Sequence, residues 1–156
     1  MSFDLGERVA ILETSLKYLT EQLDDTHRKV EEMHAVLLQA KGAAGVILVS
    51  DGISATGMPD GKYILGTFEV TVSGGVARNS EGKLAGSTLT LDRALRNVVN
   101  LGVPFANALR MLTLNPATLL GIEFKKGSLR PGADADILLL DEALNITQVW
   151  TRGFTQ

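Results

Sequence analysis

Few side chains in this sequence could do chemistry, and their spacing narrows them further. None of the 156 residues is a cysteine, which removes thiolate nucleophiles, disulfides and sulfur-ligated metals. Any metal would need His, Asp or Glu ligands. His27 and His34 are the two histidines. Seven residues apart on a helix, they stand about 10 Å from each other along the axis, too far to share one ion as an i, i+4 pair can, and they read as solvated. The carboxylate that stands out is Asp51, in Ser50-Asp51-Gly52 directly after the apolar run Val46-Ile47-Leu48-Val49. Spacing alone leaves a turn or helix cap there beside a catalytic role. Leu84-Ala85-Gly86 reads as a tight turn before a helix that starts near Thr88, with Ser87 as N-cap. Pro131-Gly132-Ala133-Asp134-Ala135-Asp136 reads as a turn without chemistry.

The elements that must position these residues fall into two parts. From Leu5 onward apolar residues recur in alternating steps of four and three. Val9, Leu16, Leu23, Val30 and Leu37 form one seam position, and Leu5, Leu12, Leu19, Thr26, Met33 and Ala40 the other. That is a heptad repeat. With no proline and only Gly6 as a weak helix former before Lys41, it predicts one continuous helix over residues 1–41 that needs a partner helix, hence a homo-oligomer through residues 5–40. The flanking positions carry too little charge pattern to set oligomer order, and a single amphipathic helix packed on its own domain is the alternative.

Lys41-Gly42-Ala43-Ala44-Gly45 breaks the pattern and marks a boundary. Val46 to Val49, apolar on both faces, predicts a buried parallel strand. Tyr63 to Val72 and Val76 to Arg78 predict hairpin strands, with Pro59-Asp60-Gly61 and Gly74-Gly75 as turns. Thr88 to Leu101 and Pro104 to Leu114 predict helices, Pro104 suiting a first turn. Ile137 to Leu140 and Ile146 to Trp150 predict closing strands. The net charge of −3, without a Lys/Arg block, gives no footprint for nucleic acid. No apolar run approaches the ~20 residues of a membrane span. MSFDLGERVA lacks the basic-then-apolar order of a secretory signal, so a cytoplasmic location is expected.

Two strings carry a resemblance. Ile47 to Gly61, containing Ser50-Asp51-Gly52, is similar to the segment of N-acetylglucosamine-6-phosphate deacetylases that bears the catalytic aspartate. Leu84-Ala85-Gly86-Ser87-Thr88-Leu89-Thr90, followed by Asp92 and Arg96-Asn97, resembles the same family further on. Thr113 to Ala117, Leu120-Gly121, Gly127-Ser128-Leu129 and Pro131 to Ile137 are shared more widely across the amidohydrolase superfamily. The resemblance runs from about Lys41 to Gly153. It implies a metal-dependent (β/α)8 barrel with a small β-sandwich, using a divalent metal such as zinc or iron. The reaction it implies hydrolyses N-acetylglucosamine 6-phosphate to glucosamine 6-phosphate and acetate. By the same resemblance Asp51 is the general base, taking a proton from the attacking water and returning it to the leaving amine. Leu84, Ala85 and Gly86 form the loop that touches the substrate, an amino-sugar phosphate, where a glycine admits close backbone approach.

The chain departs from that family in length. A barrel of this type takes about 250 residues, so the earlier strands, which carry the family's metal-binding Glu and His residues, are not in this sequence. The expected fold is therefore mixed α/β: a coiled-coil helix (1–41), the last barrel strand with a hairpin and helices (42–123), and part of a sandwich (124–156). It reads as a fusion or truncation joined near Ala40 to Ala43. No cofactor is expected to bind this chain by itself. Three functions compete: a deacetylase piece inactive alone, a coiled-coil homo-oligomer carrying an enzyme remnant, and a chain that complements a partner supplying the rest of the barrel.

Overall fold

The computed structural model describes residues 5–155, except for the side chains of residues 5–11, 27, 31 and 35. Leu5 and Val9 of the expected seam, and the side chain of His27, therefore lie outside the described groups. The chain divides into two compact units between Lys41 and Gly42.

The first unit is a single helix, α1 (Leu5–Lys41), 37 residues long. A run free of proline and rich in leucine along its seam has nothing to interrupt its i to i−4 ladder. Its surface carries i, i+3 and i, i+4 ion pairs: Arg28 meets Asp25 and Glu32, each at 2.6 Å, and Lys29 meets Asp25 at 2.6 Å. Leu12, Leu16, Leu19 and Leu23 are all exposed, as are Met33 and Leu37. The Thr26 hydroxyl donates to the Gln22 carbonyl at 2.8 Å, so it is satisfied within its own helix. His34 is exposed.

The second unit begins with a 3-10 turn at Ala43–Gly45. Residues 46–50 follow without pairing into a strand, Val46 to Leu48 half-buried and Val49 69% exposed. This corrects the expectation of a buried parallel strand. β-Branched residues favour extended backbone, but a ladder needs a neighbour, and among the described residues none pairs with this run. An antiparallel meander comes next: β1 (Gly61–Leu65), β2 (Phe68–Ser73) and β3 (Val76–Asn79). In β2 the alternation is plain, since Val70 and Val72 are buried while Glu69, Thr71 and Ser73 are exposed. Tyr63 pairs with Val70 and Val72 with Ala77. Ala55, Val72 and Ala77 form a small core against which Ile53 and Tyr63 pack.

Three helices follow: α2 (Leu91–Asn100), α3 (Phe105–Leu112) and α4 (Leu114–Leu119). They bury Ala94 and Leu95, Ala108 and Met111, and Ala117 respectively. The helix expected from Thr88 starts three residues later. Thr90 is its N-cap residue, and the Ser87 hydroxyl accepts instead from the Leu89 N–H at 2.9 Å, which corrects the capping assignment. Pro104 occupies the cap of α3, its carbonyl accepting from Asn107 and Ala108. The fourth helix was not expected, because Pro116 falls within it. It sits in the first turn, where its missing N–H costs nothing. Gly127 then passes so close to the α3/α4 junction that a Cβ would lie 2.7 Å from the Thr113 carbonyl oxygen and 2.9 Å from Ala117 Cβ.

A second meander closes the chain: β4 (Ile137–Leu140), β5 (Ile146–Thr151) and β6 (Phe154–Thr155). The last of these short strands went unnoticed in the sequence. Lys126 bridges Asp134 at 2.8 Å and also meets Asp136, whose carboxylate accepts from the Arg152 N–H at 2.8 Å. The Pro131 to Asp136 turn is thereby tied to Lys126 and to the turn between β5 and β6. Among the described residues the two sheets are separate three-stranded meanders.

Candidate active site

Asp51 lies where the extended run turns into the loop that leads to β1, with φ 46, a left-handed conformation that aspartate tolerates better than most residues. Its side chain is exposed and has no hydrogen-bond or ion-pair partner among the described residues. A backbone held in a sparsely populated region and a carboxylate left free of structural duty are what a reacting group would show.

The loop assigned to the substrate stands beside it. Leu84 pairs with Arg78 as an antiparallel bridge, and the Ala85 N–H donates to the Ala77 carbonyl at 3.0 Å, so this stretch continues the β1-β2-β3 meander. Asn79 makes the return possible: its side-chain oxygen accepts from the N–H groups of Glu81 and Lys83, an Asx-type turn. Leu84 is 71% exposed, while Ala85 is buried. Ser87 then joins the two halves. Its N–H donates to the Asp51 carbonyl at 3.2 Å and its carbonyl accepts from the Ile53 N–H at 2.9 Å, which is the parallel bridge between Gly52 and Ser87. Thr56 adds a hydroxyl donor to the same Ser87 carbonyl at 3.3 Å. Gly86 has φ 88, and a Cβ there would stand 2.3 Å from Ile53 Cγ2. Close approach of the two segments thus depends on this glycine. An open pocket of about 240 Å³ adjoins the loop, lined by Gly75, Ala77, Gly86, Thr88, Arg93 and Asn97 among others.

A second clamp holds the approach to Asp51. Asn115, the polar residue buried among the described residues, donates from its amide nitrogen to the carbonyls of Ala43 and Val46, both at 2.6 Å. Arg110 Nε donates to the same amide's oxygen at 3.1 Å, which fixes which end of the amide is the donor. The Leu48 N–H reaches the Met111 carbonyl at 3.2 Å. Behind the loop, hydrogen bonds from Thr90 and then Arg96 hold the Asp92 carboxyl below the usual carboxylate range. Arg96 bridges Asp92 at 2.6 Å and donates to the Leu144 carbonyl at 3.0 Å.

The four residues singled out in the sequence are therefore brought together, Asp51 on one side of Ser87 and Leu84, Ala85 and Gly86 on the other. Ser87, Thr56, Arg110 and Asn115 were missed in these roles. The signal available was Asn115 before Pro116, a polar residue between apolar helices. A metal is a different matter. Amidohydrolases typically use a divalent metal, but no group of three or more His, Cys, Asp or Glu residues among the described residues could hold one. The donor set present does not fit that ion.

Comparison with known proteins shows what this chain is similar to. A model of the amidohydrolase family matches residues 9–155, a span that takes in most of α1 as well as the second unit. The N-acetylgalactosamine-6-phosphate deacetylase of Escherichia coli O157:H7 is 47% identical over 109 residues, covering 69% of this chain and 29% of that protein. The N-acetylglucosamine-6-phosphate deacetylase of Vibrio furnissii is 42% identical over 107 residues, 68% of this chain and 27% of its own length. Among solved structures, the N-acetylglucosamine-6-phosphate deacetylase of Thermotoga maritima matches with a TM-score of 0.74 and 36% identity, over 80% of this chain and 34% of that one. A mutant of the Mycobacterium smegmatis enzyme, in complex with N-acetyl-D-glucosamine-6-phosphate, matches with a TM-score of 0.73 and 34% identity. The chain spans between 27% and 65% of the length of the curated relatives it matches.

Proposed function

The chain belongs to the amidohydrolase family, and from that premise we propose that it supplies part of a deacetylase site for an N-acetylamino sugar 6-phosphate. The reaction is hydrolysis of the acetamide to a free amine and acetate. Asp51 takes a proton from the attacking water and delivers it to the departing nitrogen, while Leu84, Ala85 and Gly86 present backbone to the sugar. The observation that supports this reading is the Ser87 tie, whose backbone hydrogen bonds to Asp51 and Ile53 join the Asp51 segment to the loop. Because no cluster of metal ligands is present among the described residues, the chain by itself, given zinc or iron, should not deacetylate N-acetylglucosamine 6-phosphate above background.

A chimera tests the role of Asp51. Residues 42–156 would replace the matched part of the Vibrio furnissii enzyme. Turnover that falls by about a hundredfold or more in Asp51→Asn supports a general base. A folded, metal-loaded chimera whose turnover ignores that substitution overturns it. The galacto epimer is a second candidate substrate, favoured by the 47% identity to the N-acetylgalactosamine-6-phosphate deacetylase. The same chimera assayed on both sugar phosphates separates them.

The reading extends to assembly and place. The heptads of α1, with exposed leucines along the seam, support a coiled-coil homo-oligomer. No described helix is long and apolar enough to cross a membrane, and a cytoplasmic location is part of the proposal.

A further inference from the structure

The start of β3, the stretch from Gly86 to Leu89 and one face of α2 line the open pocket of about 240 Å³, a volume below the roughly 300–1,000 Å³ of sites for drug-sized ligands. It suits an ion or a small ester. The donors on its wall are unspent. Arg93 and Asn97 lie one turn apart on α2, both exposed, and neither side chain has a hydrogen bond or ion pair among the described residues. Arg96 on the same helix shows the contrast, being held by Asp92 and by the Leu144 carbonyl. The backbone N–H groups of Gly86 and Thr88, which also line the pocket, have no partner among the described residues. A Cβ on Gly75 would stand 3.9 Å from both Arg93 Nη1 and Thr88 Oγ1, so a glycine there leaves open the space that these two groups share.

The charge is as one-sided as the hydrogen bonding. No Asp or Glu lines the pocket. Arg93 falls in the first turn of α2, the end at which a helix dipole disfavours positive charge. An anion beside it answers the guanidinium and the dipole together. With a formal net charge of −3 the chain has no general attraction for anions, so one that binds needs a site.

We propose that this pocket binds a phosphate group, carried by a small ester or present as the free ion. The Arg93 guanidinium supplies a two-point, charge-assisted contact, and the Asn97 amide supplies a further donor. The open mouth lets the organic part of an ester extend into water. Asp51 does not line the pocket, so the inference takes nothing from the deacetylase reading and can fail without it.

The test follows the backbone amides of the isotope-labelled full chain by NMR. Inorganic phosphate, glucose 6-phosphate and glucose are titrated in turn at constant ionic strength. The expected result is saturable shifts at Gly75, Gly86, Thr88 and Arg93 with both phosphates and none with glucose. A tighter response to the ester supports a site for esters, and an equal or tighter response to the ion supports a site for phosphate itself. Arg93→Gln should weaken binding by about tenfold or more and leave the melting temperature unchanged, since the side chain it alters has no partner in the fold. Lys125→Gln removes the same unit of charge outside the pocket and should leave binding as it was. Absence of saturable shifts with both phosphates overturns the proposal. So does binding that ignores Arg93→Gln, or that weakens equally in Lys125→Gln.

Discussion

An alanine at Gly86 would place its Cβ 2.3 Å from Ile53 Cγ2 while keeping φ near 88. The left-handed backbone costs about 1–2 kcal/mol for a residue with a side chain, and forced overpacking adds about 1–3 kcal/mol. Gly86→Ala should therefore lower stability by about 2–5 kcal/mol in urea unfolding. Gly82, at φ 76 with nothing within 4 Å of its Cβ position, is the comparison. Gly82→Ala should lose only the backbone part, about 1–2 kcal/mol. Equal losses would mean that Ile53 moves aside freely. At this scale Asp51 and the Leu84 to Gly86 loop could be singled out because they sit in contiguous strings, and their roles belong to the proposal. Ser87 was misread because a serine before a helix looks like a cap, and nothing local in the sequence signals its hydrogen bonds to Asp51 and Ile53.

The run leading to Asp51 depends on α3 and α4, and its hold can be measured one hydrogen bond at a time. Asn115→Ala would strip the donors from the Ala43 and Val46 carbonyls. The loss should be about 2–3 kcal/mol, with faster exchange of the Leu48 amide. Asn115→Asp should lose nearly as much, since a carboxylate keeps Arg110 but donates nothing. Unchanged exchange at Leu48 would mean that the Met111 carbonyl suffices. Helix α2 carries a pH dependence. Thr90 and then Arg96 hold the Asp92 carboxyl below its usual range, so Asp92 binds its proton less readily folded than unfolded. Its contribution is present above about pH 4 and disappears as pH falls through the lower folded value. Asp92→Asn should be less stable than the parent near neutral pH, and the gap should close in acid, as read by urea unfolding across that range. The hairpin strands and closing strands were legible as apolar runs bounded by turn residues. The pairing of residues 46–50 was not, because propensity says that a segment is extended without saying whether anything lies beside it.

For the whole molecule, the testable matter is what α1 does with its exposed leucines. A central Leu19→Asp would bury an unpaired charge in a helix interface, so it should abolish self-association measured by light scattering at micromolar concentration. The charge at Ala40→Asp can reach water and should be tolerated. Thr26→Leu exchanges a hydroxyl bonded to the Gln22 carbonyl for apolar area, and should stabilise the assembly by about 1–2 kcal/mol per helix. A parent chain that is monomeric with its helix intact would remove the coiled-coil reading. The α1 helix was legible because a proline-free 4-3 pattern needs no tertiary knowledge, whereas what packs on its seam cannot be read from one chain.

Both sheets join only strands that are neighbours along the sequence, in the orders β1-β2-β3 and β4-β5-β6. Such pairings need no long loop to close first, and single hairpins form on a scale of about 1–10 μs. The scaffold under the Leu84 to Gly86 loop therefore assembles from local contacts early in the life of the chain.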